Sequence, residues 1–175
     1  MKTNKMLLKL SVVAVFSSFI AVLGAPQETL AASVAANATA TVIVPLAITK
    51  NTDISFGKFL AGTGGTVSIA TNGSRTAGGG VTLFNQNSVS NAASFAVTGE
   101  GAYTYAITLP ANSTVNLSDG ASHTMAASSF ISNPSGTGTL TAGAQTLLVG
   151  ATLTAASAQT PGSYTGNFSI TVDYN

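Results

Sequence analysis

His123 is the only histidine, and Asp119 and Ser122 stand within five residues of it. Together they name the members of a nucleophilic triad. Such a triad needs the base between hydroxyl and carboxylate, a geometry normally assembled across a fold, and three residues crowded into one turn rarely achieve it. Asp119-Gly120 reads instead as a hairpin turn, which places His123 in a loop or at a strand edge. The chain has no cysteine, so a zinc ion would have to be held by that histidine and carboxylates alone. The carboxylates Asp53, Glu100, Asp119 and Asp173 are too few and too scattered for an acid/base pair. The glycine-rich stretches 62–65 and 78–80 lack a complete phosphate-binding motif and a following helix, and read as turns. Tyr103 and Tyr105 share one strand face, where they are either a sugar-stacking pair or core, and core is the favoured assignment. The expectation is a protein that is no enzyme, with no catalytic, metal or cofactor residues and no cofactor.

Composition points the same way. A length of 175 residues suits one domain, and charged side chains make up only 6%, against about a quarter in an average soluble protein. Thr, Ser, Asn and Gly replace them, a mixture that favours strands and turns over helices. A net charge of +1 gives no reason to expect nucleic acid or an acidic surface as a partner. At the N-terminus, Lys2, Lys5 and Lys9 precede an apolar stretch from Leu10 to Leu23. That is the pattern of a secretion signal, and it is too short for a comfortable membrane span. Cleavage is expected after Ala31, with Gly24 as the other candidate. Beyond it, Lys50, Lys58 and Arg75 stand against the four carboxylates already named. An exported domain without disulfides must be held by packing and strand pairing.

The elements follow from period-two alternation. Residues 33–48 carry Val34, Ala36, Ala38, Ala40, Val42, Val44, Leu46 and Ile48 on one face. Fully extended, they would span roughly 50 Å, well beyond an ordinary strand. Pro45 cannot donate to a ladder. It divides the stretch into an N-terminal extension, residues 32–44, and a domain strand starting near Pro45. The other reading makes 33–44 the first strand of the same sandwich. Further short strands are expected at 66–71, 81–84, 95–97, 103–109 and 115–117, around Met125 and Phe130, and at 147–153. Residues 74–80 and 133–138 read as loops. The last fourteen residues, Gly162 to Asn175, alternate Phe168, Ile170, Val172 and Tyr174 with polar neighbours, as a strand with one buried face does. That strand has an edge that something must cover. Eight or so short strands with frequent turn signals predict an all-β, immunoglobulin-like antiparallel β-sandwich of Greek-key type.

Two ends of the chain resemble chaperone–usher pilins. Gly162, fourteenth from the C-terminus, and the penultimate Tyr174 are joined by an alternating strand, like the pilin C-terminal signature. Pro45-Leu46-Ala47-Ile48 followed by Asp53-Ile54-Ser55-Phe56-Gly57 resembles the first strand of spore-coat-U-type and archaic pilins. A longer string is similar to the exported bacterial domain-of-unknown-function family 4402 over nearly all of the mature chain. It comprises Gly79-Gly80-Val81, Ala93-Ser94-Phe95-Ala96-Val97-Thr98-Gly99, Tyr105-Ala106-Ile107-Thr108-Leu109-Pro110 and Val149-Gly150-Ala151-Thr152-Leu153. The departure from typical pilins is the missing disulfide near the first strand.

The pilin resemblance implies a sandwich one strand short, whose groove takes a donor strand from another subunit. Val34, Ala36, Ala38, Ala40, Val42 and Val44 would form the donor. Gly162, Phe168, Ile170, Val172 and Tyr174 would form the acceptor groove and chaperone contact. The implied role is a structural subunit of a surface fibre (fimbrium), exported through the periplasm and supporting adhesion or biofilm. Implied partners are further copies or related subunits, a periplasmic chaperone and an outer-membrane usher. The alternative is a secreted monomeric β-sandwich adhesin or glycan-binding module, with residues 33–44 folded beside the last strand of their own domain. Between exchange and such self-complementation the residues do not choose.

Overall fold

A computed structural model describes residues 30–175. The expected signal segment up to residue 29 and the Gly24 cleavage site lie outside the described residues. The chain divides into two units, Met1–Ala40 and Thr41–Asn175. Residues 30–46 carry no strand, and all but Leu46 among them are exposed.

The second unit is an antiparallel β-sandwich, with strands and turns only among the described residues. Its strands are β1 (Ala47–Thr52), β2 (Lys58–Leu60), β3 (Gly65–Ile69), β4 (Arg75–Gly79), β5 (Thr82–Phe84), β6 (Ala93–Thr98), β7 (Thr104–Thr108), β8 (Val115–Ser118), β9 (Thr124–Asn133), β10 (Thr137–Thr139), β11 (Ala144–Ala155) and β12 (Thr171–Tyr174). The large sheet has the order β1-β6-β11-β3-β4, with β9 also paired to β11 and β8 to β9. A second sheet has the order β10-β7-β12, and β2 pairs with β5 as a separate ribbon.

The long strand β11 is the spine. Leu147, Val149, Ala151, Leu153 and Ala155 are buried along it at period two. It pairs with β6 over Ala144–Val149 and with β3 over Ala151–Ala155. The change of partner falls at Gly150, where a Cβ would collide with the Ile69 carbonyl oxygen. Two apolar clusters form on this spine. In one, Val97, Leu147 and Val149 meet Tyr105, Ile107 and Val172 from the β10-β7-β12 sheet and Leu140 just past β10. In the other, Val67, Ile69, Leu153 and Met125 meet Phe56, Phe59 and Leu83 at the β2–β5 ribbon. Burial of a Val, Leu or Ile side chain contributes about 1.5–3 kcal/mol, so these two clusters supply the packing that a chain without disulfides requires.

Three expectations about loops and strand lengths change. The glycine-rich stretch 74–80, expected as a loop, contains β4, paired with β3 from Ile69↔Arg75 to Gly65↔Gly79. Glycine is required there by close approach: a Cβ on Gly65 would collide with the Gly78 carbonyl oxygen. Residues 133–138, also expected as a loop, include the start of β10. The final strand is hydrogen-bonded as a ladder only over Thr171–Tyr174, with Thr165 making a separate bridge to Ser118.

Candidate assembly groove

Two of the triad candidates, Asp119 and His123, close a turn. Asp119 lies between β8 and β9, with its Oδ2 2.6 Å from His123 Nδ1, and its Oδ1 accepts from the N–H groups of Ala121 and His123. The hydrogen bond from His123 holds the Asp119 carboxyl below the usual aspartate range, and the two N–H donors lower it further. Among the described residues no cluster of three or more His, Cys, Asp or Glu could hold a metal ion. Tyr105 is fully buried, donates to Gln145 Oε1 at 2.7 Å, and burial pushes its phenol up. Tyr103 is half-exposed and lies edge-on to Tyr174, with centroids 5.9 Å apart.

The last strand has the expected face. Phe168, Ile170, Val172 and Tyr174 are half-buried, and Asn167, Ser169, Thr171 and Asp173 are exposed. In its sheet β12 pairs with β7 and is the end strand. Within the large sheet β1 is likewise an end strand, paired with β6. At one end the two edges are tied together: the Tyr174 hydroxyl donates to the Val44 carbonyl at 2.9 Å, and Leu46 and Ile48 pack in the cluster that holds Ile170, Val172 and Tyr174.

At the other end the layers part. A cavity of about 350 Å³ opens beside Ile54, Phe56, Leu117, Phe130, Tyr164 and Phe168. Lys50 and Asp53 line it too, joined by a 2.7 Å ion pair. Phe168 anchors its wall, with its ring 5.2 Å from Phe130 and 6.5 Å from Phe95 between centroids. A second cavity of about 740 Å³ shares Ile54, Phe56, Leu117 and Tyr164 and continues past Gly162 to Leu60 and Val89 on the β2–β5 side. The openings thus lie on the Phe168 side. Of the five expected groove residues, Gly162 and Phe168 line the cavities, and Ile170, Val172 and Tyr174 line neither and pack against a core cluster, as Phe168 also does.

The expected donor residues fall in both units. Val34, Ala36, Ala38 and Ala40 are exposed in the first, and Val34 is 94% exposed. In the second, Val42 is 96% exposed and Val44 about half. Four residues carried little sign of their structural roles in the sequence. Phe130 and Tyr164 line the cavity. Glu100 accepts from the Val44 N–H. The Arg75 guanidinium donates to the carbonyls of Phe56, Lys58 and Phe84, to Ser88 Oγ and to Asn85 Oδ1, tying both strands of the β2–β5 ribbon to β4. Arg75 is the only arginine in the chain, and its solitary place among glycines was the one available signal.

A model of the family described as "Domain of unknown function (DUF4402)" matches residues 46–174. No curated protein and no solved structure matches the chain.

Proposed function

The chain belongs to this family of unknown function, and on that premise we propose that it is an exported structural subunit of a bacterial surface fibre, joined to its neighbours by donor-strand exchange. The observation that carries the reading is an unmatched pair of parts. β12 is the end strand of its sheet, and the segment that leads into it, Tyr164 to Phe168, walls an open cavity. The same chain carries an alternating Ala/Val segment, residues 32–44, whose apolar side chains are exposed. An unpaired strand edge recruits another strand. Added-strand recognition draws affinity from backbone hydrogen bonds and specificity from alternate side chains. Covering Val34 or Val42 would contribute about 1.5–3 kcal/mol each. Alanine at 36, 38 and 40 suits a groove that is shallow in the middle.

Exchange between copies is heterologous, so it propagates into a filament instead of closing. In this reading the subunit leaves the cell through the periplasm, where a chaperone strand holds the groove and an usher exports the fibre. Adhesion or biofilm is the role of the assembled surface. The monomeric alternative would place residues 33–44 as a strand beside their own β12.

Deleting residues 32–44 tests the proposal. The expected outcome is loss of SDS-resistant ladders on gels and of fibres in electron micrographs, with the β-sandwich still folded by circular dichroism. Undiminished polymers from the truncated protein would contradict it.

A further inference from the structure

Val44 is the last residue of the candidate donor, and both its backbone groups are held by side chains. Its N–H donates to Glu100 Oε2 at 2.9 Å and its carbonyl accepts from the Tyr174 hydroxyl at 2.9 Å. That hydroxyl in turn accepts from the Glu100 N–H at 2.6 Å, so the three residues close a ring. Its surroundings leave the ring little freedom. A Cβ on Gly99 would collide with the Tyr174 hydroxyl, and Tyr103 packs edge-on against the Tyr174 ring. An antiparallel neighbour strand would satisfy one residue's N–H and C=O together. Here a carboxylate and a phenol do so at the point where the extension joins the domain.

The next residue, Pro45, has no N–H to offer a ladder. Residues 41–46 contain neither turn nor bend, so the chain passes through Val44 into β1 without reversing. For residues 33–43 to add to the free edge of their own β12, the chain would have to reverse at 44–46. Val44 would then have to leave Tyr174, which is itself a β12 residue. We propose that Glu100 and Tyr174 are positioning residues that clasp Val44, keeping each copy's extension off its own groove and available to another copy. This rests on the fibre reading above.

The test uses the full mature chain with Glu100→Ala, Tyr174→Phe and, as the conservative control, Glu100→Gln, which retains a carbonyl acceptor. Hydrogen exchange of the Val44 amide is measured before assembly. The distribution between monomer and polymer is then counted by mass photometry. The clasp predicts that exchange at Val44 accelerates about tenfold in Glu100→Ala. Tyr174→Phe shows the same direction, because the hydroxyl that orients Glu100 is gone, and Glu100→Gln stays near wild type. In the two clasp-breaking variants the monomer fraction rises at the expense of polymer. Equal Val44 exchange in wild type and both variants overturns the clasp whether or not fibres form. Lost protection with unchanged polymer yield overturns its directing role. A protected Val44 in a wild-type chain that forms no polymer overturns the fibre reading, and the directing role with it.

Discussion

Asp119 shows how a catalytic-looking set serves a turn. Its carboxylate accepts one side-chain and two backbone hydrogen bonds inside the β8–β9 connection. Its folded pKa is held down chiefly by the His123 hydrogen bond. A depressed carboxyl adds stability that is fully present above the unfolded aspartate pKa, about 4, and is lost as pH falls through the lower folded value. The melting temperature of the wild type should therefore approach that of Asp119→Asn as pH drops below about 4, and exceed it at pH 6. Parallel thermal melts across this range check it, and a constant gap would show that the carboxylate does not hold the turn. The three residues lie within five positions of one another in the sequence and were therefore easy to see. The Val44–Glu100–Tyr174 ring was not, since its members come from three distant parts of the chain and no local pattern marks them.

At the scale of elements, strands with strict alternation were legible and strands made of glycine were not. Phe168 to Tyr174 announced its buried face because period two survives wherever one side is covered. β4 lacked that signal: Gly78 and Gly79 present no side chain, and they are there because β3 comes too close for one. The spine makes the same demand at Gly150. Gly150→Ala would drive a methyl into the Ile69 carbonyl and should destabilise by about 1–3 kcal/mol, measured as a lower urea midpoint at unchanged slope. The β2–β5 ribbon depends on Arg75 in a different way. Its guanidinium is the shared donor for carbonyls on both strands, and a neutral side chain would leave them without it. Arg75→Leu should cost about 2–3 kcal/mol and speed amide exchange across Lys58–Leu60 and Thr82–Phe84. Unchanged exchange there would mean that the ribbon stands by its own pairing.

At the scale of the whole molecule, the proposed fibre completes each open sandwich with the extension of another copy. Resemblance suggested both parts from the ends of the sequence. The cavities beside Gly162 and Phe168 are lined from distant parts of the chain, so no local pattern marks them. Two substitutions separate the parts. Val42→Asp would bury an unpaired charge in the joint alone, so folded subunits should remain while polymer yield falls. Ile170→Asp places the charge in the core cluster of the subunit, and soluble folded protein should be lost altogether. Native gels and expression yields distinguish the two outcomes. The most direct measurement uses the absence of cysteine from the chain. Val42→Cys in one copy is mixed with Phe168→Cys, Ile170→Cys or Val172→Cys in a differently tagged copy, and disulfides are read on non-reducing gels. A disulfide forms only where Cα atoms come within about 7 Å. The account predicts a mixed-tag disulfide species with at least one of the three partners, dependent on residues 32–41 being present. No mixed species with any partner, from proteins that still fold, would contradict it.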